Sequence, residues 1–226
     1  MPILVLVRHG QSLWNAENRF TGWEDIDLSS KGEEEARKAG QTLVKNNLRF
    51  DCTYTSILKR SIRTLEIILK EMDEVSLPAY KSWRLNERHY GQLQGLNKED
   101  ASLNYGKEQV YSWRRNYSLS PPPMDEEGLK KLRQKKIFQN VSVPRGESLE
   151  QTYNRVLPLW QESIQPKLKQ GQNILITAHG NSLRALIKGI QKISDEDIVS
   201  FEVPTAQPIY ISWKNSMENP DKLEFL

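Results

Sequence analysis

Two of the three histidines stand in the same local setting, and that repetition is the first sign of chemistry. Arg8-His9-Gly10 follows the apolar run Ile3–Val7, and Ala178-His179-Gly180 closes the apolar run Ile174–Ala178. Histidine is the usual nucleophile or proton carrier near neutral pH. If both runs are strands of an open parallel sheet, both imidazoles lie beyond carboxyl ends of strands, where such sheets bind ligands. The glycine after each would let the backbone turn sharply and come close to a ligand. The bland alternative is a pair of exposed loop histidines.

Arginines add a preference for anions. Arg8 abuts His9, and Arg60 closes Ser56-Ile57-Leu58-Lys59-Arg60, where a strand hands over to a helix. Helix N-termini favour anions, and guanidinium offers phosphate a planar fork of donors. Lys98, Arg114 and Arg115 are further candidates; taken singly, each is more commonly a solvated charge. Glu87, after Trp83 and Leu85, is a carboxyl whose apolar neighbours could fit it for acid–base work, unless it merely pairs with Arg88. His89 reads as structural. The Cys-x-x-Cys, His-Glu-x-x-His and Gly-x-x-x-x-Gly-Lys-Ser/Thr patterns do not occur, so no metal centre or P-loop is expected.

The elements that must position these residues follow from periodicity. Ile3–Val7 and Ile174–Ala178 read as strands buried on both faces. Phe50, Cys52 and Tyr54 alternate as a short strand, another is expected around Leu77–Tyr80, and Ile209–Trp213 reads as the last one. Ser30-Lys31-Gly32-Glu33 has capping-box spacing, followed by the stripe Ala36, Ala39, Gly40, Leu43, Val44. Leu58, Ile62, Leu65, Leu69 and Met72 form a second stripe. Helices are expected at Lys98–Leu103 and Lys107–Arg115. Ser148 and Gln151 make a further capping box, ahead of a helix through Tyr153, Val156 and Trp160 that bends near Pro158. Another helix carries Leu183, Leu186, Ile187 and Ile190. Three prolines in Ser118–Pro123 break regular structure, and Glu126–Arg145 reads as a mobile surface loop or short helix. Strands alternating with helices predict an α/β fold in three layers, a mostly parallel sheet flanked by helices on both faces, in one domain over 1–226.

Composition bounds the class. The 226 residues are 37% hydrophobic and 27% charged, which excludes collagen-like, disulfide-scaffold and wholly disordered chains. A mean hydropathy of −0.66 requires the core to be concentrated in a few patterned segments. A net charge of +3 can attract a small anion and is too weak to indicate nucleic acid. The single Cys52 permits no intrachain disulfide, and no apolar run approaches a membrane span or a signal-peptide core; a cytoplasmic protein is expected.

The stretch Arg8-His9-Gly10-Gln11-Ser12-Leu13-Trp14-Asn15-Ala16-Glu17-Asn18-Arg19-Phe20-Thr21-Gly22-Trp23 resembles the histidine phosphatase superfamily, and within it the cofactor-dependent phosphoglycerate mutases. Similarity recurs in Ser56–Arg60, Glu87–Gly95, Trp113–Arg115, Pro121–Met124 and His179–Ser182, and covers most of residues 1–213. The resemblance implies a phosphoglycerate mutase-like fold and interconversion of 3-phosphoglycerate and 2-phosphoglycerate, primed by 2,3-bisphosphoglycerate without a metal. It makes His9 the phosphoryl carrier and Glu87 the proton donor and acceptor. Arg8, Asn15, Arg60 and His179 would surround the transferring group, and Ser12, Thr21, Gly22, Arg88, Tyr90, Lys98, Arg114, Arg115, Gly180 and Asn181 would hold the substrate. It also implies a homodimer or homotetramer, with neither nucleic acid nor membrane as partner. The proline turn with Glu126–Arg145, and the C-terminal tail, would gate water. Compared with the family pattern, the stretch between Met124 and Glu147 and the tail past Trp213 are short, and Ala206 replaces a glycine.

Two rival functions compete with this reading. One is a bisphosphoglycerate mutase or a small-molecule phosphatase on the same scaffold. The other is a non-catalytic polyanion-binding protein using Lys130, Lys131, Arg133, Lys135 and Lys136.

Overall fold

Residues Leu4–Val7 are wholly shielded from solvent, as a run apolar on both pleat faces requires. The computed structural model describes residues 1–214 and 220–226. In it this run is β1 (Ile3–Arg8), inside a six-stranded sheet ordered β3-β2-β4-β1-β5-β6. The other strands are β2 (Cys52–Thr55), β3 (Ala79–Lys81), β4 (Ile174–Ala178), β5 (Ile209–Ser212) and β6 (Lys222–Phe225). The strands β3, β2, β4 and β1 run parallel, whereas β5 is antiparallel to β1, and β6 to β5.

Alternation along β1 divides the core between two faces. Leu4 and Leu6 point to one face with Tyr54, Ile174 and Ile176, covered by α7 (Leu149–Leu159), α8 (Gln165–Lys169) and α9 (Gly180–Gln191). Val5 and Val7 point to the other with Leu175, covered by α2 (Ser30–Lys45) and α3 (Lys59–Glu71). The expected three-layer α/β architecture is present. Shorter helices lie outside it: α1 (Leu13–Ala16), α4 (Lys98–Tyr105), α5 (Lys107–Arg115) and α6 (Glu126–Gln134). Among the described residues no helix is long and apolar enough to cross a membrane.

Several local expectations need correction. The first capping residue is Ser29, not Ser30; its side chain accepts from the Gly32 amide. The second box is as expected, with Ser148 and Gln151 capping each other reciprocally. The bend near Pro158 is a π turn at Trp160–Ile164, where the helix widens just past a residue that cannot donate a backbone hydrogen bond. Ile209–Ser212 is not the last strand: Lys-Leu-Glu-Phe at 222–225 alternates and pairs with it as β6. Expectations for the tail fall partly on residues 215–219, outside the described residues.

The segment 126–145 is the short helix of the two alternatives, and it is anchored. Leu129 and Leu132 of α6, with Phe138 and Val143, are buried against Trp23 and Leu58. The Met124 amide donates to the Arg145 carbonyl at 2.7 Å, closing the base of the excursion.

Candidate active site

Parallel pairing explains how residues 170 positions apart come together. β1 and β4 are neighbours, with Arg8 opposite Ala178, so each strand is followed at the same level by its histidine. The His9 amide continues the ladder by donating to the Ala178 carbonyl at 2.9 Å. The two rings sit with centroids 4.9 Å apart and planes inclined by 62°. Both are fully buried, and the expectation that both imidazoles meet in one place holds.

Their hydrogen bonds differ. His9 Nδ1 lies 2.7 Å from the Gly10 carbonyl, an acceptor only, so Nδ1 carries the proton and Nε2 keeps its lone pair. Burial, and then the charges of Arg60 and Arg8, hold the His9 pKa well below its ordinary value, leaving a neutral imidazole at pH 7. His179 is likewise held neutral by burial and by Arg60. Its Nε2 lies 2.7 Å from Ser56 Oγ.

The glycines act differently from expectation. Neither Gly10 nor Gly180 has a positive φ. A Cβ on Gly10 would lie 2.1 Å from the Gly32 carbonyl oxygen, so Gly10 lets the loop after β1 cross the start of α2. One on Gly180 would meet Arg8 Nε at 3.5 Å, on the ligand side. The left-handed residue is Gly22, whose Cβ would strike the Gln94 side chain and whose carbonyl accepts from Arg60.

Around His9 opens a cleft of about 750 Å³. Of the residues singled out in the sequence, Arg8, His9, Asn15, Thr21, Gly22, Arg60, Glu87, Tyr90, Lys98, Arg114, Arg115, Gly180 and Asn181 line it. Three do not. His179 is buried beside His9, its Nδ1 without a protein partner. Ser12 is buried as the N-cap of α1, exchanging hydrogen bonds with Asn15. Arg88 is buried over the Tyr90 ring and donates to the Arg114 carbonyl. Ser12 and Arg88 thus lie outside the cleft lining, although Arg88 Nε and Nη1 are buried without a protein partner. The cleft also adds Arg19, Phe20, Arg184, Glu202 and Val203. Arg184 had a detectable signal, lying one helical turn after Gly180 on the same face of α9. No described residue between 116 and 179 lines the cleft.

Electrostatically the cleft suits a polyanion. Arg8, Arg19, Arg60, Lys98, Arg114, Arg115 and Arg184 face it, against the carboxylates Glu87 and Glu202. Arg60 spends both terminal nitrogens on the carbonyls of Gly22 and Glu24, and burial lowers its pKa to about 10, still a cation at neutral pH. Burial and the neighbouring Arg114 lower the Lys98 pKa. Several buried donors have no protein partner, including Arg8 Nε, Arg60 Nε and Thr21 Oγ1. Buried polar groups normally have partners, so such a cluster marks a place for an oxygen-rich anion. Glu87 sits in the wall with Oε1 accepting from the amides of Arg88 (2.8 Å) and Asn181 (3.1 Å). Its carboxylate is thus held by backbone amides and not by the Arg88 side chain. Among the described residues no three His, Cys, Asp or Glu side chains are grouped to share a metal ion.

Comparison with known proteins gives the same neighbourhood. The family model described as "Histidine phosphatase superfamily (branch 1)" matches residues 4–137 and 125–223. The 2,3-bisphosphoglycerate-dependent phosphoglycerate mutase 1 of Lactobacillus johnsonii is 48% identical, over 99% of this chain and 100% of its own length. The enzyme named 2,3-bisphosphoglycerate-dependent phosphoglycerate mutase in Zymomonas mobilis is 48% identical over 98% of this chain and 97% of its own length. Among solved structures, a mycobacterial glucosyl-3-phosphoglycerate phosphatase superposes with a TM-score of 0.76 at 22% identity, covering 100% of this chain and 97% of that one. That last likeness speaks for the fold alone. With two imidazoles at adjacent parallel strand ends, the full-length family match and relatives of nearly half identity, the chain belongs to the histidine phosphatase superfamily and, within it, groups with the 2,3-bisphosphoglycerate-dependent phosphoglycerate mutases.

Proposed function

We propose that this protein interconverts 3-phosphoglycerate and 2-phosphoglycerate, with His9 as phosphoryl carrier and 2,3-bisphosphoglycerate as the primer. The observation that carries the reading is the state of His9: its Nδ1 proton is committed to the Gly10 carbonyl, leaving Nε2 neutral and nucleophilic. The relatives' names support the choice of substrate.

When bound, 2,3-bisphosphoglycerate supplies the phosphoryl group that loads His9. The residues present suit it, because each phosphate carries roughly 1.5–2 negative charges and the wall offers unsatisfied cationic donors. Phosphoryl transfer needs in-line positioning and stabilised equatorial oxygens, which Arg8, Arg60 and His179 would provide. From loaded His9, the free hydroxyl of a monophosphoglycerate takes the group: the N–P bond breaks, an O–P bond forms, and Glu87 receives the hydroxyl proton. After the ligand turns over, His9 Nε2 attacks the other phosphate; that O–P bond breaks and Glu87 returns the proton to the departing oxygen. No water is consumed. Lys98, Arg114, Arg115, Asn15, Tyr90, Asn181 and the backbone at Thr21, Gly22 and Gly180 would hold the carboxylate and the second phosphate through the turn.

The test is conversion of 3-phosphoglycerate with and without 2,3-bisphosphoglycerate, alongside measurement of phosphate release. Primer-dependent isomerisation outpacing release, with acid-labile phosphate on His9, is the expected result. Phosphate release as fast as isomerisation would make the protein a phosphatase, and label away from His9 would overturn the assignment.

A further inference from the structure

Glu87 lies in Asn86–Tyr90, a stretch with neither helix nor strand to hold it. Its backbone must be fixed by other means, because carbonyls and amides buried there still need partners. One buried ion pair supplies most of them. The Arg155 guanidinium, from the middle of α7, donates to the carbonyls of Arg84 (2.5 Å), Asn86 (2.9 Å) and Glu87 (2.8 Å). It pairs with Glu147 at 2.6 Å, both side chains under a tenth exposed. Glu147 in turn accepts from the His89 amide at 2.8 Å, and its own amide donates to the His89 carbonyl at 2.8 Å. The Glu87 carbonyl also accepts from Trp23 Nε1 at 2.6 Å.

Arg155 lines no part of the cleft. Stability alone accounts poorly for it, since a buried ion pair is often worth no more than apolar residues of equal volume. What an apolar replacement could not do is hold the carbonyls of Arg84, Asn86 and Glu87 together by a rigid fork of donors. Displacing that backbone would shift the Glu87 carboxyl, whose Oε1 is otherwise set by the Arg88 and Asn181 amides.

We propose that Arg155, oriented by Glu147, is a positioning residue that fixes the Glu87 backbone so that the carboxyl stays aligned with the phosphoryl group on His9. This rests on the assignment of Glu87 as proton carrier. It extends the working site to a helix that never touches substrate.

The experiment is a double-mutant cycle between Arg155 and Glu87, read in the full-length protein as kcat and KM for 3-phosphoglycerate. Arg155→Met is expected to lower kcat roughly 10- to 100-fold with KM within about threefold, the scale of one misplaced proton carrier. Arg155→Lys, which keeps the charge and some donors, should recover part of the loss and carries the test if the Met variant does not fold. In a Glu87→Gln background either Arg155 substitution should cost less than about threefold more, because the group it serves is already disabled. A merely structural role would lower kcat by the same factor in both backgrounds, and that additivity would overturn the proposal. So would a raised KM with unchanged kcat, or full activity in both Arg155 variants. A Glu87→Gln protein as fast as wild type would instead overturn the role of Glu87, and the proposal with it.

Discussion

Lowering the pH from 6.5 to 5 should destabilise this protein through its histidines, and His89 allows the amount to be worked out. His89 is buried against Trp23, and burial together with the Arg155 charge pushes its pKa down to about 3 from an ordinary 6.5. Its Nδ1 accepts from the Gly91 amide at 3.0 Å, a bond only the neutral ring can make. The unfolded chain therefore binds a proton at His89 below pH 6.5 that the folded protein refuses until about pH 3. Stability rises with pH wherever the unfolded state holds more protons, so His89 contributes fully above pH 6.5 and loses that contribution as pH falls from 6.5 towards 3. At pH 5 the loss is about 2 kcal/mol, from roughly 1.4 kcal/mol per pH unit. His9 and His179, also depressed by burial, act in the same direction. Against a typical reserve of about 5–15 kcal/mol, such a loss is readily measured. Urea unfolding of wild type and His89→Asn across pH 5–7.5 is the assay; the Asn side chain can keep an acceptor for the Gly91 amide. Wild type should lose about 2 kcal/mol more than the variant between pH 6.5 and 5. Parallel pH curves would refute the claim that His89 stays neutral when folded.

Other perturbations separate packing from transfer. Gly10→Ala should destabilise by about 1–3 kcal/mol in chemical denaturation, because its Cβ would lie 2.1 Å from the Gly32 oxygen, whereas Gly180→Ala, in ordinary contact with Arg8, should leave unfolding nearly unchanged. Arg60→Met should slow phosphorylation of His9 roughly 100- to 1000-fold in rapid-quench measurements, the usual scale for losing one electrostatic stabiliser of a transition state; a loss under about threefold would remove Arg60 from that role. Trp23→Phe deletes the 2.6 Å donor to the Glu87 carbonyl and should cost about 1–3 kcal/mol of stability, read by denaturant midpoint.

What the sequence made legible was whatever depends on local pattern. The runs Ile3–Val7 and Ile174–Ala178 had to be interior strands, and interior parallel strands end on a common ligand-binding edge; the His9–His179 pairing follows from that plus one register, Arg8 opposite Ala178. What escaped depended on partners far along the chain. Leu129 and Leu132 looked too sparse for a buried stripe because the surface covering them, Trp23 and Leu58, is brought from about 70 to 110 residues away. Arg88 and Arg114 looked alike as cations, yet Arg114 lines the cleft whereas Arg88 is buried over the Tyr90 ring. Ser12 has a structural role whose cue was local. A serine three residues before Asn15 at the start of a short helix is a capping pattern, in which the hydroxyl accepts from the Asn15 amide.

The same contrast explains why the proposed proton carrier was harder to place than the proposed nucleophile. His9 extends a strand, so its backbone is fixed by the sheet and its ring by a carbonyl one residue away. Glu87 extends nothing. Its position is assembled from the amides of Arg88 and Asn181, the indole of Trp23 and the guanidinium of Arg155, three of which come from other parts of the chain. Periodicity cannot encode such a convergence, because no single contributor carries a pattern of its own. The positional precision of the site is therefore uneven in origin: strand register sets the proposed phosphoryl acceptor, whereas the proposed proton carrier depends on contacts that include a buried charge pair outside the cleft.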